Sequence, residues 1–177
     1  AGGKRKRVDC WAVFPAVEET AINCPSMTMA VLFGWILSRS KFWRDHTNLR
    51  IITISTAARK HEAERMISQL LEYCRIEARV LVLLLENEEL PDRLTPEELN
   101  RAFLLDVSQE RRCAIFNHLI IKHSYRAGIV FFPIADPPKD PKHARGYINT
   151  LNILSKGVTT PTILVRGCAD VITSDIQ

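Results

Sequence analysis

Residues 49–85, LRIITISTAARKHEAERMISQLLEYCRIEARVLVLLL, decide the fold. The stretch opens on Leu49-Arg50-Ile51-Ile52-Thr53-Ile54, a short run rich in β-branched residues that predicts a strand over Leu49 to Ile54. Ala63, Met66, Ile67, Leu70, Leu71 and Cys74 then fall at i, i+3, i+4, i+7, i+8 and i+11, one apolar stripe on a helix. Ala78 to Leu85 follows as a run of Val and Leu too apolar for a half-exposed strand. It predicts a strand covered on both faces, as in a parallel sheet. Strand, helix and strand in this order form a βαβ unit.

The rest of the chain repeats the alternation. Val8 to Phe14 predicts a first strand ended by Pro15, and Pro15 to Pro25 a loop. Ser26 is placed to cap a helix over Met27 to Ser38. With Val31, Leu32, Phe33, Trp35 and Ile36, that helix is apolar on nearly every side, so it is either deeply buried or docks on a partner. After the acidic loop Glu86 to Asp92, Thr95-Pro96 with Glu98 forms a capping box and starts another helix. Asp106 to Ser124 reads as the next helix, with Cys113, Phe116 and Ile120 on one line beside Leu119. Gly128 to Phe132 is a fourth strand. Asp140-Pro141 opens a helix striped by Ala144, Tyr147, Ile148, Leu151 and Leu154, which stops at Gly157. Thr162 to Val165 is a fifth strand, and Val171 to Thr173 adds a short extra one. The expected fold is therefore α/β, a mainly parallel sheet of five strands or slightly more with helices on both faces. Residues 1–7 read as a basic linker or edge, and 8–177 as one domain without internal repeat.

Composition agrees with a globular chain. Of 177 residues, 46% are hydrophobic and 25% charged, enough apolar material for one sizeable core. No stretch reaches the roughly 18–20 apolar residues a membrane helix needs, and the nearest, Met27 to Leu37, is too short. The basic start Lys4-Arg5-Lys6-Arg7 leads into a strand rather than an apolar signal segment. The net charge of +4 comes from that run, since the remainder is about neutral. No aromatic residues interleave with it, which disfavours nucleic-acid binding. Cys10, Cys24, Cys74, Cys113 and Cys168 are scattered and form no C-x-x-C pair, which fits a reducing compartment and no zinc knuckle.

Catalytic patterns are hard to find. The chain has seven glycines and neither G-x-G-x-x-G nor G-x-x-x-x-G-K-[ST], so it lacks the usual phosphate-wrapping loops. It also lacks the nucleophile elbow G-x-S-x-G. His61-Glu62-Ala63-Glu64-Arg65 begins like a zincin helix but puts Arg where the second His belongs. His118 and His123 are five apart and do not share a helical face. His123 suits a helix C-terminus instead. Glu18-Glu19 could form an acid/base pair, but adjacent carboxylates in a loop are usually just solvated. Arg166-Gly167, at the end of the last strand, is either an anion site or a clamp that ties the strand end to a carbonyl or carboxylate. The lack of a glycine-rich neighbour favours the clamp. No cofactor, metal or catalytic residue emerges.

Several segments taken in order resemble the C-terminal cytosolic domain of cation-chloride cotransporters. They include Val8-Asp9-Cys10-Trp11 (the family's I-D-V-W), Phe42-Trp43-Arg44 with Leu49-Arg50-Ile51, and Cys74-Arg75-Ile76-Glu77-Ala78. The last is similar to L-R-I-E-A of the potassium-chloride branch. Further on come Ile134-Ala135-Asp136-Pro137-Pro138, the Tyr147 helix, Pro161 to Gly167 (L-L-V-R-G in the family) and Val171-Ile172-Thr173. The matches run from about Val8 to Thr173. Two departures stand out. Pro15 to Pro25 replaces the acidic residue and paired glycines the family places after its first strand. Glu86 to Leu94 is short where animal potassium-chloride members carry a long phosphorylated insertion. These mark a divergent member, of fungal vacuolar or orphan type.

The resemblance implies the second α/β half of such a domain, similar in fold to universal stress proteins. Its expected role is non-catalytic: dimerisation, trafficking and control of electroneutral ion transport. It would lie at the cytosolic face of a plasma or vacuolar/lysosomal membrane, as part of an integral membrane protein. Expected partners are the preceding half of the domain, the transmembrane part, a second copy and regulatory kinases, with no nucleic acid. Trp35, Phe42 and Trp43 are the candidate partner surface, and Pro137, Pro138, Tyr147, Arg166 and Gly167 the family-like motif. The alternative is a nucleotide sensor of the universal-stress type, with a pocket beyond the strand ends near Pro133 and Arg166.

Overall fold

The computed structural model describes residues 6–13, 24–43, 47–91 and 107–167. Among the described residues, five strands, β1 (Lys6–Trp11), β2 (Thr47–Ser55), β3 (Arg79–Leu84), β4 (Ile129–Pro133) and β5 (Thr162–Val165), form one all-parallel sheet. Their order is β3-β2-β1-β4-β5, so the sheet grows outward from β1 in both directions. The helices are α1 (Pro25–Arg39), α2 (Lys60–Tyr73), α3 (Gln109–Ser124) and α4 (Ala144–Ser155). The expected α/β architecture is thus present. Residues 14–23, 92–106 and 168–177 lie outside the described ones, and with them the Thr95 capping box, Glu18-Glu19, Cys168 and the Val171 to Thr173 strand.

The two faces of the sheet carry separate cores, because successive side chains of a strand point to opposite sides. Val8, Cys10 and Ala12 of the first strand segment join Ile51, Phe131, Met27, Val31, Ile67 and Leu70 on the face covered by α1 and α2. Trp11 and Val13 join Ile52, Ile54, Val130, Phe132, Ile115, Leu119 and Leu154 on the face covered by α3 and α4. Trp11 is fully buried, stacks at a tilt 6.1 Å from Phe132, and donates its indole N–H to Ser124 Oγ at 3.3 Å.

Local chemistry sets most boundaries. Pro25 occupies the first turn of α1, where its missing N–H costs nothing. Cys24, and not Ser26, precedes that turn. Ser26 is buried inside it, and its hydroxyl accepts instead from Gly167 N at 3.0 Å. The expected cap is displaced because a distant strand end claims the side chain. At the end of α2, Arg75 adopts φ 55° while Arg75 N bonds Glu72 O and Ile76 N bonds Leu71 O. This is a Schellman closure with arginine where glycine is usual. Ser108 caps α3 by accepting from Arg111 N. Asp140 caps a single 3-10 turn, Pro141–His143, that leads into α4, and Gly157 at φ 71° follows its end.

Four expectations change in detail. β1 begins at Lys6, so Lys6 and Arg7 belong to the sheet and not to a linker. β3 stands at one end of the strand order, and only Leu83 within it is buried, so its apolar run marks a half-exposed strand. Val80 and Leu81 do reach the cores on opposite faces. In α4 the buried residues are Thr150 and Leu154, whereas Ile148 and Ala144 face outward and Tyr147 and Leu151 are half-buried. The helix lies at the margin of its face, so its stripe is only partly covered. In α1, Phe33 and Ile36 are exposed and full burial does not occur.

Candidate functional site

At the carboxyl ends of the strands, the family-like motif converges on one loop. Arg166 Nε lies 2.6 Å from Asp136 Oδ1, across 30 residues of sequence. Both side chains are well exposed, so the pair contributes about 0–1 kcal/mol and acts chiefly as a tether. Tyr147 donates its hydroxyl to Ala135 O at 3.0 Å, and burial pushes its phenol pKa up. Gly167 approaches α1 so closely that a Cβ there would stand 2.5 Å from Pro25 C. Pro137 and Pro138 lie on the tethered loop. Of the two readings of Arg166, the structure shows the carboxylate clamp. Beside Pro133 the described residues enclose a cavity of about 30 Å³, lined by Tyr147, Phe116 and Cys113 among others. That space holds a water or two, far below the roughly 300 Å³ at which ligand pockets begin.

The amino-terminal end of the sheet carries an ionic network that the sequence reading missed. Asp9 is fully buried in the middle of β1. Its Oδ1 accepts from Arg7 Nε and from Arg50 Nε, each at 3.0 Å, and its Oδ2 accepts from Arg50 Nη2 at 2.7 Å. Asp9 and Arg50 are directly registered neighbours on β1 and β2. Both arginines also donate to the carbonyl of His123, at 3.0 and 2.8 Å, and so close the last turn of α3. Glu88 holds the same helix end from the other side, 2.9 Å from Lys122 Nζ and 3.0 Å from His123 Nε2. Burial raises the Glu88 pKa, but these two contacts outweigh it and the net shift is downward. An aspartate inside an apolar strand was the available signal, because a buried carboxylate needs cationic partners. Which arginines supply them is a tertiary matter.

The third region is the outer side of α1 and the turn after it. Phe42 is 77% exposed, Ile36 56% and Phe33 42%. Trp35 and Trp43 are half-buried against the first core, and the Arg39 guanidinium lies 5.8 Å over the Trp35 ring. Phe42 meets Trp43 edge-on at 6.4 Å. Of the three residues singled out by sequence, only Phe42 is mainly outward, while Phe33 and Ile36 extend the patch.

Among the described residues, no group of three or more His, Cys, Asp and Glu is arranged to hold a metal ion, and no helix is long and apolar enough to cross a membrane. His61, of the zincin-like fragment, is a surface residue 3.4 Å from Glu64. The thiols of Cys10, Cys74 and Cys113 all have raised pKa values through burial, that of Cys74 to about 11. Fold and site together define an all-parallel α/β domain, with ionic ties at both ends of its sheet and an apolar patch on one outer helix. No family model matches the sequence, and no curated protein matches it.

Proposed function

We propose that this chain is a non-catalytic regulatory and assembly domain of a cation-chloride cotransporter. It would sit at the cytosolic face of the membrane that holds its parent and support dimerisation, trafficking and control of transport. The ordered resemblance from Val8 to Thr173 supports the reading, and those of its segments that are described fall on β1, the turn after α1, β2, the end of α2, the clamped loop, α4 and β5. The observation that carries the assembly role is the exposed patch of Phe33, Ile36 and Phe42 on and after α1. Large apolar side chains grouped on a surface mark contact sites more often than single exposed ones do.

Sedimentation across a concentration series tests it. Weak, concentration-dependent self-association, or association with the preceding half of the domain, is expected, and Ile36→Ser with Phe42→Ser should diminish it. A strictly monomeric chain that ignores the added half would sink the reading.

A second reading, a nucleotide sensor of the universal-stress type, draws on the strand order. β1 and β4 are adjacent and lead to opposite halves of the sheet, the place where open parallel sheets hold ligands. Titration with adenine nucleotides separates the two. Saturable micromolar binding with no self-association would favour the sensor.

A further inference from the structure

The amino-terminal edge of the sheet carries a groove that shares only Trp35 with the candidate partner surface. It has a volume of about 760 Å³, within the usual span for ligand sites, and is open along one side. Four arginines line it: Arg7 and Arg50 from the Asp9 network, Arg39 at the end of α1, and Arg79 at the start of β3. Against them stand Glu77 in the lining and the buried Asp9 beneath, which leaves an excess of two positive charges among the described residues.

The four do not have equal freedom. Arg7 and Arg50 direct their Nε and Nη2 donors to Asp9 and His123 O, which fixes both side chains. Arg39 lies over the Trp35 ring, and Arg79 makes no ion pair among the described residues. The lining also includes apolar Trp35 and Leu49 from the α1 side of the sheet and Leu81 from the opposite side, so the groove runs across the amino ends of the strands.

We infer that this groove binds an acidic peptide segment that also carries apolar side chains, supplied by a partner protein. Its carboxylates would meet Arg39 and Arg79, whose planar guanidinium forks suit them, and its apolar side chains would lie against Trp35 and Leu81. A lone inorganic anion would leave most of the volume and all of the apolar lining unused. The position supports a peptide as well. The groove is at the amino ends of the strands, opposite the end where parallel sheets hold small cofactors.

Fluorescence anisotropy with the whole chain and a labelled peptide of alternating Glu and Leu tests the proposal. Saturable binding that weakens steeply with salt is expected. Arg39→Glu with Arg79→Glu should weaken it by about tenfold or more, because like charges then face each other across the contact. Arg79 stands opposite Arg50 in the register of β2 and β3, so Arg39→Gln with Arg79→Gln, which brings no carboxylate beside the Asp9 network, should weaken binding as well, and circular dichroism checks that both variants stay folded. Arg166→Glu, at the far end of the sheet, should leave binding unchanged. No binding, or equal loss in the Arg166 variant, would overturn the assignment. So would equally tight binding of a lysine-leucine peptide, of inorganic phosphate or of a single-stranded oligonucleotide.

Discussion

Replacing Asp9 by Asn keeps its shape and removes its charge. The carboxylate receives three charge-assisted bonds at 2.7–3.0 Å from Arg7 and Arg50, and none of its surface is exposed. In the variant, one oxygen becomes an amide NH₂, which either faces a guanidinium donor or turns away and breaks the bidentate pair. Breaking a buried pair in this way costs about 3–5 kcal/mol, because the partner charges remain. Here the Arg50 and Arg7 side chains keep 13% and 29% of their exposure, and His123 O still accepts from both, so the low end applies. A loss of about 3 kcal/mol is expected, which at a urea m-value of ~2 kcal/mol/M lowers the unfolding midpoint by about 1.5 M. Arg50→Met in the Asp9→Asn background removes one of the two stranded cations, the one held bidentately. The double-mutant cycle should then show coupling of about 1.5 kcal/mol or more. A loss below about 1 kcal/mol, or single effects that add within ~0.5 kcal/mol, would refute the view that this network holds β1, β2 and α3 together.

Glu88 gives a pH prediction. Its folded pKa lies below the ordinary glutamate value, since Lys122 and His123 offset the upward push of burial. The stabilisation is therefore complete above the unfolded value of about 4.3 and is lost as pH falls through the lowered folded value. Stability measured from neutral pH downward should fall less steeply below pH ~4.3 in Glu88→Gln than in the parent, and identical acid limbs would contradict this. In Gly34→Ala the new methyl would collide with Cys10 Sγ, with Leu49 and Val8 also at 3.4 Å. Thermal or urea unfolding should show a loss of about 1–3 kcal/mol, largely recovered by adding Cys10→Ala, and no recovery would exclude the steric cause. Arg75→Gly should stabilise by about 0.5–1 kcal/mol, because glycine takes φ 55° without strain. A destabilised variant would show that Arg75 contributes more through its side chain than it loses through its backbone. With its pKa raised to about 11, Cys74 should react slowly with a disulfide reagent at pH 8 and quickly once urea unfolds the chain. A fast native reaction lost in Cys74→Ser would contradict its burial.

Local pattern made some parts of the protein legible. The α2 stripe is legible because 3.6-residue periodicity is a property of the chain itself, and Ala63, Ile67, Leu70 and Leu71 are indeed buried. β5 is legible to the residue, since Pro161 and Arg166-Gly167 bound Thr162–Val165. The clamp reading of Arg166 followed from the absence of other chemistry around it, but its partner Asp136 could be named only in three dimensions. β3 misled because a run of Val and Leu reports the wish to be covered and not the position in the sheet. The same limit hid Phe33 and Ile36. A helix apolar all round does not say which side the sheet will take.

Local pattern alone carries the alternation of strands and helices among the described residues and hence a parallel α/β sheet, because periodicity and turn residues act over a few neighbours. Only the tertiary structure decided that β1 lies at the centre of the sheet and β3 at an edge. It alone brought Arg7, Arg50 and His123 to Asp9, drew Ser26 away from helix capping to Gly167, and opened the arginine-lined groove at one end of the sheet. Those outcomes depend on which strands become neighbours, and that is settled by the packing of the two cores together.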